Sequence, residues 1–561
     1  MNSSAIQNPD KRVWAISGSP VARASGFVIA ISLAAVLPMF IWGVPSNLDL
    51  SNHFRFTLPF HDAIAGGNLY PGWLAESNNG YGDPSFRFYP PALYYLLSAA
   101  RFTFGNWYEA TIATFALLSI VGGLGIYFWA NSILSDSRAA WAGFFYALAP
   151  YHINQLYQAT MLAEWAGSAI LPFCFAFVER VCRSGRRRDI AGLAVAYGIL
   201  VFTHLPLAVI GSLALLIYGL VRISGPGKLG QLTKLALGVV LGLAITAIYW
   251  VTMISEVRWI RVNDVQPIAS VDYRLNFLLS TFSPDNLNVW WMNILALMTL
   301  LFCAPILFLF RRDAAPQRRL ARPAIVLTAF SLFMSLPLSR PIWSVFPPLQ
   351  ETQFPWRWLS IVSIGISLLA AVSLPLLMEN TNRIKRLVIF GAMSVSIAFM
   401  LSHIIREAQY LTPQQFENTL ADVRGTPSVN YWIPIWVRSN PRSMNSEVEA
   451  AGVTGTKARA VTVTSWEPQH RQFSVAAGAA SDVRVRTFYY PHWTATAANG
   501  TVLPVRPDAD GALLISLPAD ATTVNLDFRE PSRTRVSGVM SFAGLLFIGA
   551  LAIPRHWRRR R

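Results

Sequence analysis

Apolar runs of spanning or near-spanning length, uncharged apart from Glu164, Glu179 and Arg180 at the ends of one of them, recur in this chain at about residues 24–45, 110–130, 139–152, 164–182, 190–204, 205–221, 235–254, 289–310, 323–338, 358–378, 387–405 and 536–553. About 20 apolar residues in helix cross a ~30 Å hydrocarbon core, where only helices and closed barrels satisfy their own backbone. The pattern therefore predicts an α-helical polytopic membrane protein with about twelve transmembrane helices. Composition agrees, since the 561 residues are 53% hydrophobic and only 13% charged, against roughly a quarter charged in soluble domains. The net charge of +17 lies mostly in short arginine clusters between apolar runs, which orient a chain in a membrane rather than bind nucleic acid. Cys174, Cys182 and Cys303 fall inside apolar segments, so neither a disulfide framework nor a metal cluster is expected from them. The first run has no convincing small-residue cleavage site and reads as a retained helix.

A thirteenth apolar stretch, Phe88 to Phe104, decides on which side everything after it lies. The basic clusters are 11–12, 183–188, 311–322, 382–386 and 555–561. If 88–104 does not cross, all five share the cytoplasmic side, as the positive-inside rule demands. It is therefore expected to lie in the outer interface, in keeping with its Pro90-Pro91 start and its tyrosines. Both termini are then cytoplasmic. The outer side holds a first loop (46–109), shorter loops near 152–163, 255–288 and 339–357, and a long segment, 406–535. Within that segment the pattern turns to alternation with turn signals, as in "VRVRTFYYPHW" (483–493) and "ALLISLPADATTVNLDF" (512–528). This predicts an extracytoplasmic β-sandwich at about 455–530, followed by a last helix and basic tail (536–561).

The first outer loop carries the chemistry-bearing residues. Asp49 and His53 are four apart, so on a helix they share a face and can hydrogen-bond. The stretch 66–91, "GGNLYPGWLAESNNGYGDPSFRFYPP", is rich in glycine, asparagine and aromatics and holds Trp73, Glu76, Tyr81 and Asp83. Such side chains can stack on a sugar ring and bond its hydroxyls, and a carboxylate beside them can act as a base on a hydroxyl. A purely wet amphipathic interfacial helix is the plainer reading of 49–65. Further along, Glu164 opens the 164–182 run, either as a helix-dipole partner or as a group facing a cavity. His204 stands between two apolar runs at a proline break. For a phosphate the planar fork of arginine is best suited, and Arg357 in "FPWRW", Arg258 and Arg261 are the outer-face candidates.

Taken in order, Asp49-x-x-x-His53, "GGNLYPGW", "GYGDPSFRFYPP", "APYHINQLYQATMLAEWAGSAILPF", "FTHLP" and "FPWRW" resemble the membrane proteins labelled as related to 6-pyruvoyl-tetrahydropterin synthase. That label implies no pterin chemistry here; the architecture is similar to the GT-C glycosyltransferases. The resemblance covers nearly the whole chain, with residues 1–405 as the GT-C-like transmembrane domain. It implies that Asp49 corresponds to the first-loop aspartate that deprotonates the acceptor and Glu164 to the second-loop acidic residue. The donor would be a sugar on a polyprenyl phosphate, its phosphate held by Arg357, Arg258 and His204, with His53 orienting Asp49. The acceptor would be a glycan, lipid or protein hydroxyl on the outer face of a bacterial cytoplasmic membrane. The scheme needs no cofactor and leaves a divalent metal open; no metal ligand set is assigned. No phosphate-binding glycine loop, dinucleotide fingerprint or zinc-protease motif is present. The rival classes are a polytopic lipid or glycan transporter, disfavoured by the lack of an evident inverted repeat, and a membrane-anchored binding module built on the β-domain.

Overall fold

Ser19 caps the first helix by accepting from the Ala22 amide at 3.1 Å, and Pro20 takes the first helical position, where its missing N–H costs nothing. The computed structural model describes residues 19–223, 227–261, 272–281, 287–379, 381–425, 432–437, 444–450 and 458–553. The basic clusters at 11–12 and 555–561 lie outside them.

In chain order, α1 (Pro20–Trp42) is followed by the two-residue strand β1 (Val44–Pro45), α2 (Leu50–Ala65), α3 (Ala92–Phe104), α4 (Trp107–Asn131), α5 (Asp136–Ala147) and α6 (Pro150–Tyr157). Next come α7 (Leu162–Ser184), α8 (Arg187–Thr203), α9 (Leu205–Arg222), α10 (Lys228–Ile245), α11 (Ala247–Glu256), α12 (Leu287–Phe302) and α13 (Ala315–Ser335). The helical part ends with α14 (Arg340–Val345), α15 (Pro347–Gln350), α16 (Leu359–Glu379) and α17 (Arg383–Ser402). Strand β2 (Tyr410–Leu411) returns to pair antiparallel with β1, and α18 (Pro413–Gly425) packs on α2.

Among the described residues, eight helices are long and apolar enough to cross a membrane: α1, α4, α7, α9, α10, α16 with its leading turn, α17 and the final helix. Two bent pairs raise the number to ten, α12 with the turn Ala304–Phe310 (63°) and residues 312–335 with 337–345 (87°). The difference from twelve has local causes. Run 139–152 forms α5, whose 12 residues reach only ~18 Å and which packs among α1, α4 and α16. Run 190–204 becomes the 17-residue α8; run 235–254 is broken at Thr246, which ends α10 and starts α11, and α10 still counts among the eight. Helix α3 has 13 residues, ~20 Å at ~1.5 Å per residue, too short for a ~30 Å core.

The β-region begins at β3 (Val448–Ala450), earlier than residue 455, and continues through β4 (Val461–Trp466), β5 (His470–Val475), β6 (Ser481–Phe488), β7 (Trp493–Ala497), β8 (Val502–Leu503), β9 (Val505–Pro507), β10 (Ala512–Leu517) and β11 (Thr522–Phe528). Its two antiparallel sheets have the orders β3-β6-β10-β9 and β4-β5-β11-β7-β8. Alternate residues of β5, β6 and β11, such as Phe473, Val475, Val483, Val485, Val524 and Leu526, fill one shared core. This is the sandwich arrangement that period-two patterning produces. From it the chain enters α19 (Ser532–Ala552), which packs on α8, α10 and α11.

The loop between α2 and α3 clasps the β-region to the helices. Trp73 is wholly buried in the sandwich core, 5.6 Å from Trp493 and 5.4 Å from Phe528 between ring centroids. Tyr81 stacks on Phe488 at 5.1 Å. Gly82, at φ +76°, lies under the Trp73 indole, which would stand 2.5 Å from any Cβ there; no other residue fits. Beneath this seam the fully buried Arg87 donates to Glu256 (2.8 Å) and to Glu530 (2.6 Å). Glu256 also accepts from Tyr490 (2.7 Å), His492 (2.9 Å) and Arg533 (2.9 Å). Burial pushes the Glu256 carboxyl up, but these donors outweigh it and hold the group well below the usual carboxylate range.

Candidate active site

Gly43 turns the chain out of α1, the β1–β2 pairing fixes its direction, and Asp49 arrives at the N-cap of α2. Its backbone N–H donates to Thr160 Oγ1 at 3.1 Å, and Asn47 donates to the Tyr157 carbonyl at 2.9 Å. The short segment after α6 is thereby tied to the start of α2. Asp49 makes no side-chain cap to its own helix. Its carboxylate instead accepts from Asn52 (3.0 Å) and faces His53 Nε2 at 3.5 Å. The other ring nitrogen of His53 is 3.0 Å from the Tyr94 hydroxyl on α3. A proton on Nε2 satisfies both contacts, with Tyr94 donating to Nδ1. Burial raises the Asp49 carboxyl, yet the His53 and Asn52 contacts and the positive charge of Arg357 prevail and hold it below its ordinary value. The Asp49 side chain is still 37% exposed, so the carboxylate is ionised, oriented and reachable.

Behind it lies a buried ion pair. Arg357 Nε donates to Glu164 Oε2 at 2.9 Å, and Arg357 also donates to the Thr352 carbonyl. Glu164 Oε1 accepts from Tyr151 (2.7 Å) and Ser360 (3.2 Å), and Gln155 donates to the Tyr151 hydroxyl at 3.1 Å. Two stretches that are distant in sequence meet here, α6 with the first turn of α7 and residues 352–360, with Glu164 and Arg357 193 residues apart. Cation–π contact of Arg357 with Phe354, 4.7 Å from the ring centroid, holds the guanidinium from its other side. His204, buried between α8 and α9, packs on Gly167 of α7 and lies within electrostatic reach of Arg357, His53 and Asp49. Its Nδ1 accepts from the Leu207 amide at 3.2 Å, which leaves Nε2 as its donor. Tyr89, above α3, feels the charges of Asp49, Arg357 and Glu164 together.

Of the residues singled out in the sequence, Asp49, His53, Glu164, His204 and Arg357 are brought to one place. The others are not. Trp73 and Tyr81 are packing residues of the β-region seam, unavailable to stack on a sugar. Asp83 is fully buried, pairs with Leu74 through its backbone and accepts from the Ser85 amide at 2.8 Å. Burial pushes its carboxyl above the ordinary value. Glu76 is exposed on the rim of a ~260 Å³ cavity that also touches Arg55, Asp62 and Arg424. Arg258 is exposed over the Trp259 ring, beside the β-region, and no described contact joins it to the Asp49 cluster. Tyr94, Tyr151, Asn52, Thr160 and Ser360 escaped sequence reasoning. Tyr151 and Thr160 stand in "APYHINQLYQAT", on α6 and just after it, but neutral hydroxyls carry no signal until folding aims them. Among the described residues, no three His, Cys, Asp or Glu side chains are placed to hold a metal ion.

No curated protein matches the chain. Among solved structures it is similar to ArnT of Cupriavidus metallidurans bound to undecaprenyl phosphate, at 15% identity over 72% of this chain and 74% of that one, with a TM-score of 0.40. The arabinofuranosyltransferase AftD from mycobacteria matches at 14% identity over 71% of this chain and 28% of that one, TM-score 0.46. The arabinosyltransferase EmbB from Mycobacterium smegmatis matches at 12% over 94% of this chain and 67% of that one, TM-score 0.39. One family model covers residues 86–411, from Phe86 in the seam to β2, and so takes in Glu164, His204 and Arg357. The chain belongs to that family, the membrane proteins with a 6-pyruvoyl-tetrahydropterin synthase related domain.

Proposed function

We propose that this protein is a membrane glycosyltransferase that moves a sugar from a polyprenyl-phosphate donor to an acceptor hydroxyl on the outer face of the bacterial cytoplasmic membrane. The observation that carries the reading is the meeting of a reachable, ionised Asp49 with Arg357, Glu164 and His204, assembled from distant segments. A structural ion pair alone needs no exposed carboxylate aimed beside it by a histidine–tyrosine pair.

Each group then has a task. The acceptor oxygen bonds to the anomeric carbon as the bond from that carbon to the phosphate oxygen breaks, its electron pair leaving with the lipid phosphate. Asp49 takes the hydroxyl proton. A carboxylate of low pKa is a weak base, so the transfer falls late, when the attacking oxygen has become acidic. Arg357 and His204 Nε2 meet the phosphate and stabilise the charge it gains. Glu164, Tyr151 and Ser360 fix the guanidinium, which needs no reorganisation during the step. Direct displacement inverts the anomeric centre, and a phosphate leaves without a strong acid.

Asp49→Asn in proteoliposomes given a polyprenyl-phosphate sugar tests this. Transfer is expected to fall by ~100-fold or more, the range of general-base loss, while thermal unfolding stays near that of the unaltered chain. Normal transfer by Asp49→Asn would remove Asp49 as the base. Donor binding without transfer by the unaltered chain, over a panel of hydroxyl acceptors, would favour a transporter.

A further inference from the structure

A groove of about 300 Å³ opens at the opposite end of α9 from His204. Its walls are α9, through Leu216, Leu220 and Ile223, and α10, through Leu232 and Val240, with Leu193 of α8 in the floor. Helix α9 rests on α7, α8 and α13, and α10 rests on α8 and α19, so the two walls straddle a shared floor. Leu216, Leu220, Leu232 and Val240 are 51%, 52%, 41% and 59% exposed, a continuous apolar face. The lining hydroxyls of Tyr197 and Ser212 satisfy each other at 2.8 Å, so the groove offers no polar group to water.

Its dimensions and charge name the occupant. From Ser212 to Ile223 the α9 wall runs ~17 Å at ~1.5 Å per residue, about half of a ~30 Å hydrocarbon core, the depth of one leaflet. At the leaflet-surface end stands Lys228, one turn before Leu232 on the same stripe of α10; it is exposed and has no ion pair among the described residues. Arg186, Arg187 and Arg188 open α8 at that same end. We infer that this groove is a binding site for an anionic phospholipid, one acyl chain lying between α9 and α10 and the headgroup meeting Lys228 and the arginines. The site is in the leaflet away from Asp49 and stands or falls independently of sugar transfer.

The full chain, purified in detergent and incubated with phosphatidylglycerol or phosphatidylcholine, is washed and its retained lipid quantified by mass spectrometry. Several-fold more phosphatidylglycerol than phosphatidylcholine is expected to stay bound. Ala236→Phe, which fills the groove from its exposed α10 wall, should lose that lipid several-fold. Gly219→Leu does the same from α9, and serves if Ala236→Phe fails to fold. Lys228→Gln should keep the lipid but weaken the preference about fivefold, as for one basic residue at an anionic surface. Equal retention of the two lipids by the unaltered chain, or undiminished retention by a folded groove-filling variant, would overturn the site.

Discussion

Arg357 and Glu164 are both buried, and their pairing is the point at which stability and chemistry can be separated. Removing one partner strands a charge away from water, so Arg357→Gln is expected to cost ~3–5 kcal/mol, read as a lowered unfolding temperature. Adding Glu164→Gln should restore much of that stability without restoring transfer. Recovery of both would make the pair purely structural. Asp49 supports a prediction in pH. Its folded carboxyl lies below the ordinary 3.8, so the stability it contributes is complete above the unfolded value and is lost as pH falls through the lower folded one. Transfer should therefore keep its Asp49-dependent rate down to about pH 4, and His53→Gln, by removing the partner that lowers the group, should move that acid limb upward. A limb unmoved by His53→Gln would detach the histidine from Asp49. These residues were legible because charges at the edge of apolar runs are conspicuous. Trp73 and Tyr81 were misread because a sugar platform and a packing clasp are written in the same glycines and aromatics. Only the partner surface, some 400 residues on, distinguishes them.

The elements were legible by length and illegible where they break. Hydropathy located the ends of α1, α4, α7, α9, α16, α17 and α19 to within about four residues, since burial in lipid and burial in a bundle both favour the same apolar run. It could not foresee that α10 stops at Thr246, whose hydroxyl bonds back to the Gly242 carbonyl at 3.1 Å, or that α12 bends by 63° into the Ala304–Phe310 turn. Such breaks depend on neighbouring helices. Helix α3 permits a direct topological check. If it lies along the interface, cysteines placed at Asn68 and Asn106, before and after it, will both react with an impermeant maleimide from one side of a sealed membrane. Labelling from opposite sides would make it a crossing and reverse the side of every later loop. For the clasp, Trp73→Ala removes a fully buried indole and should cost ~3–5 kcal/mol, seen first as protease cleavage within 66–91.

At the scale of the whole molecule, the β-region is a structural partner of the helices rather than a tethered appendage. Glu256 gathers donors from the loop before α3, from the sandwich and from the start of α19. Glu256→Gln should let the sandwich swing away from the helices, measurable as a larger hydrodynamic radius without loss of strand signal. Because the Glu256 carboxyl is depressed, the latch is complete above its unfolded value of 4.5 and opens only as pH falls far below it. Deleting 406–535 would strip Arg87 of Glu530 and Trp73 of its pocket, so loss of transfer in that truncation would not assign catalysis to the sandwich. The separation of Arg87 from Glu530, 443 residues, also sets a clock on biosynthesis. At ~5–20 residues per second, the loop waits about 20–90 s after emerging before its partner exists. For most of that interval Trp73 and Tyr81 are displayed without their mates, and Arg87 has only Glu256. A nascent chain of this protein is thus a prolonged client for whatever guards unfinished membrane proteins on that side, and slow translation should harm its yield more than that of a protein whose loops close locally.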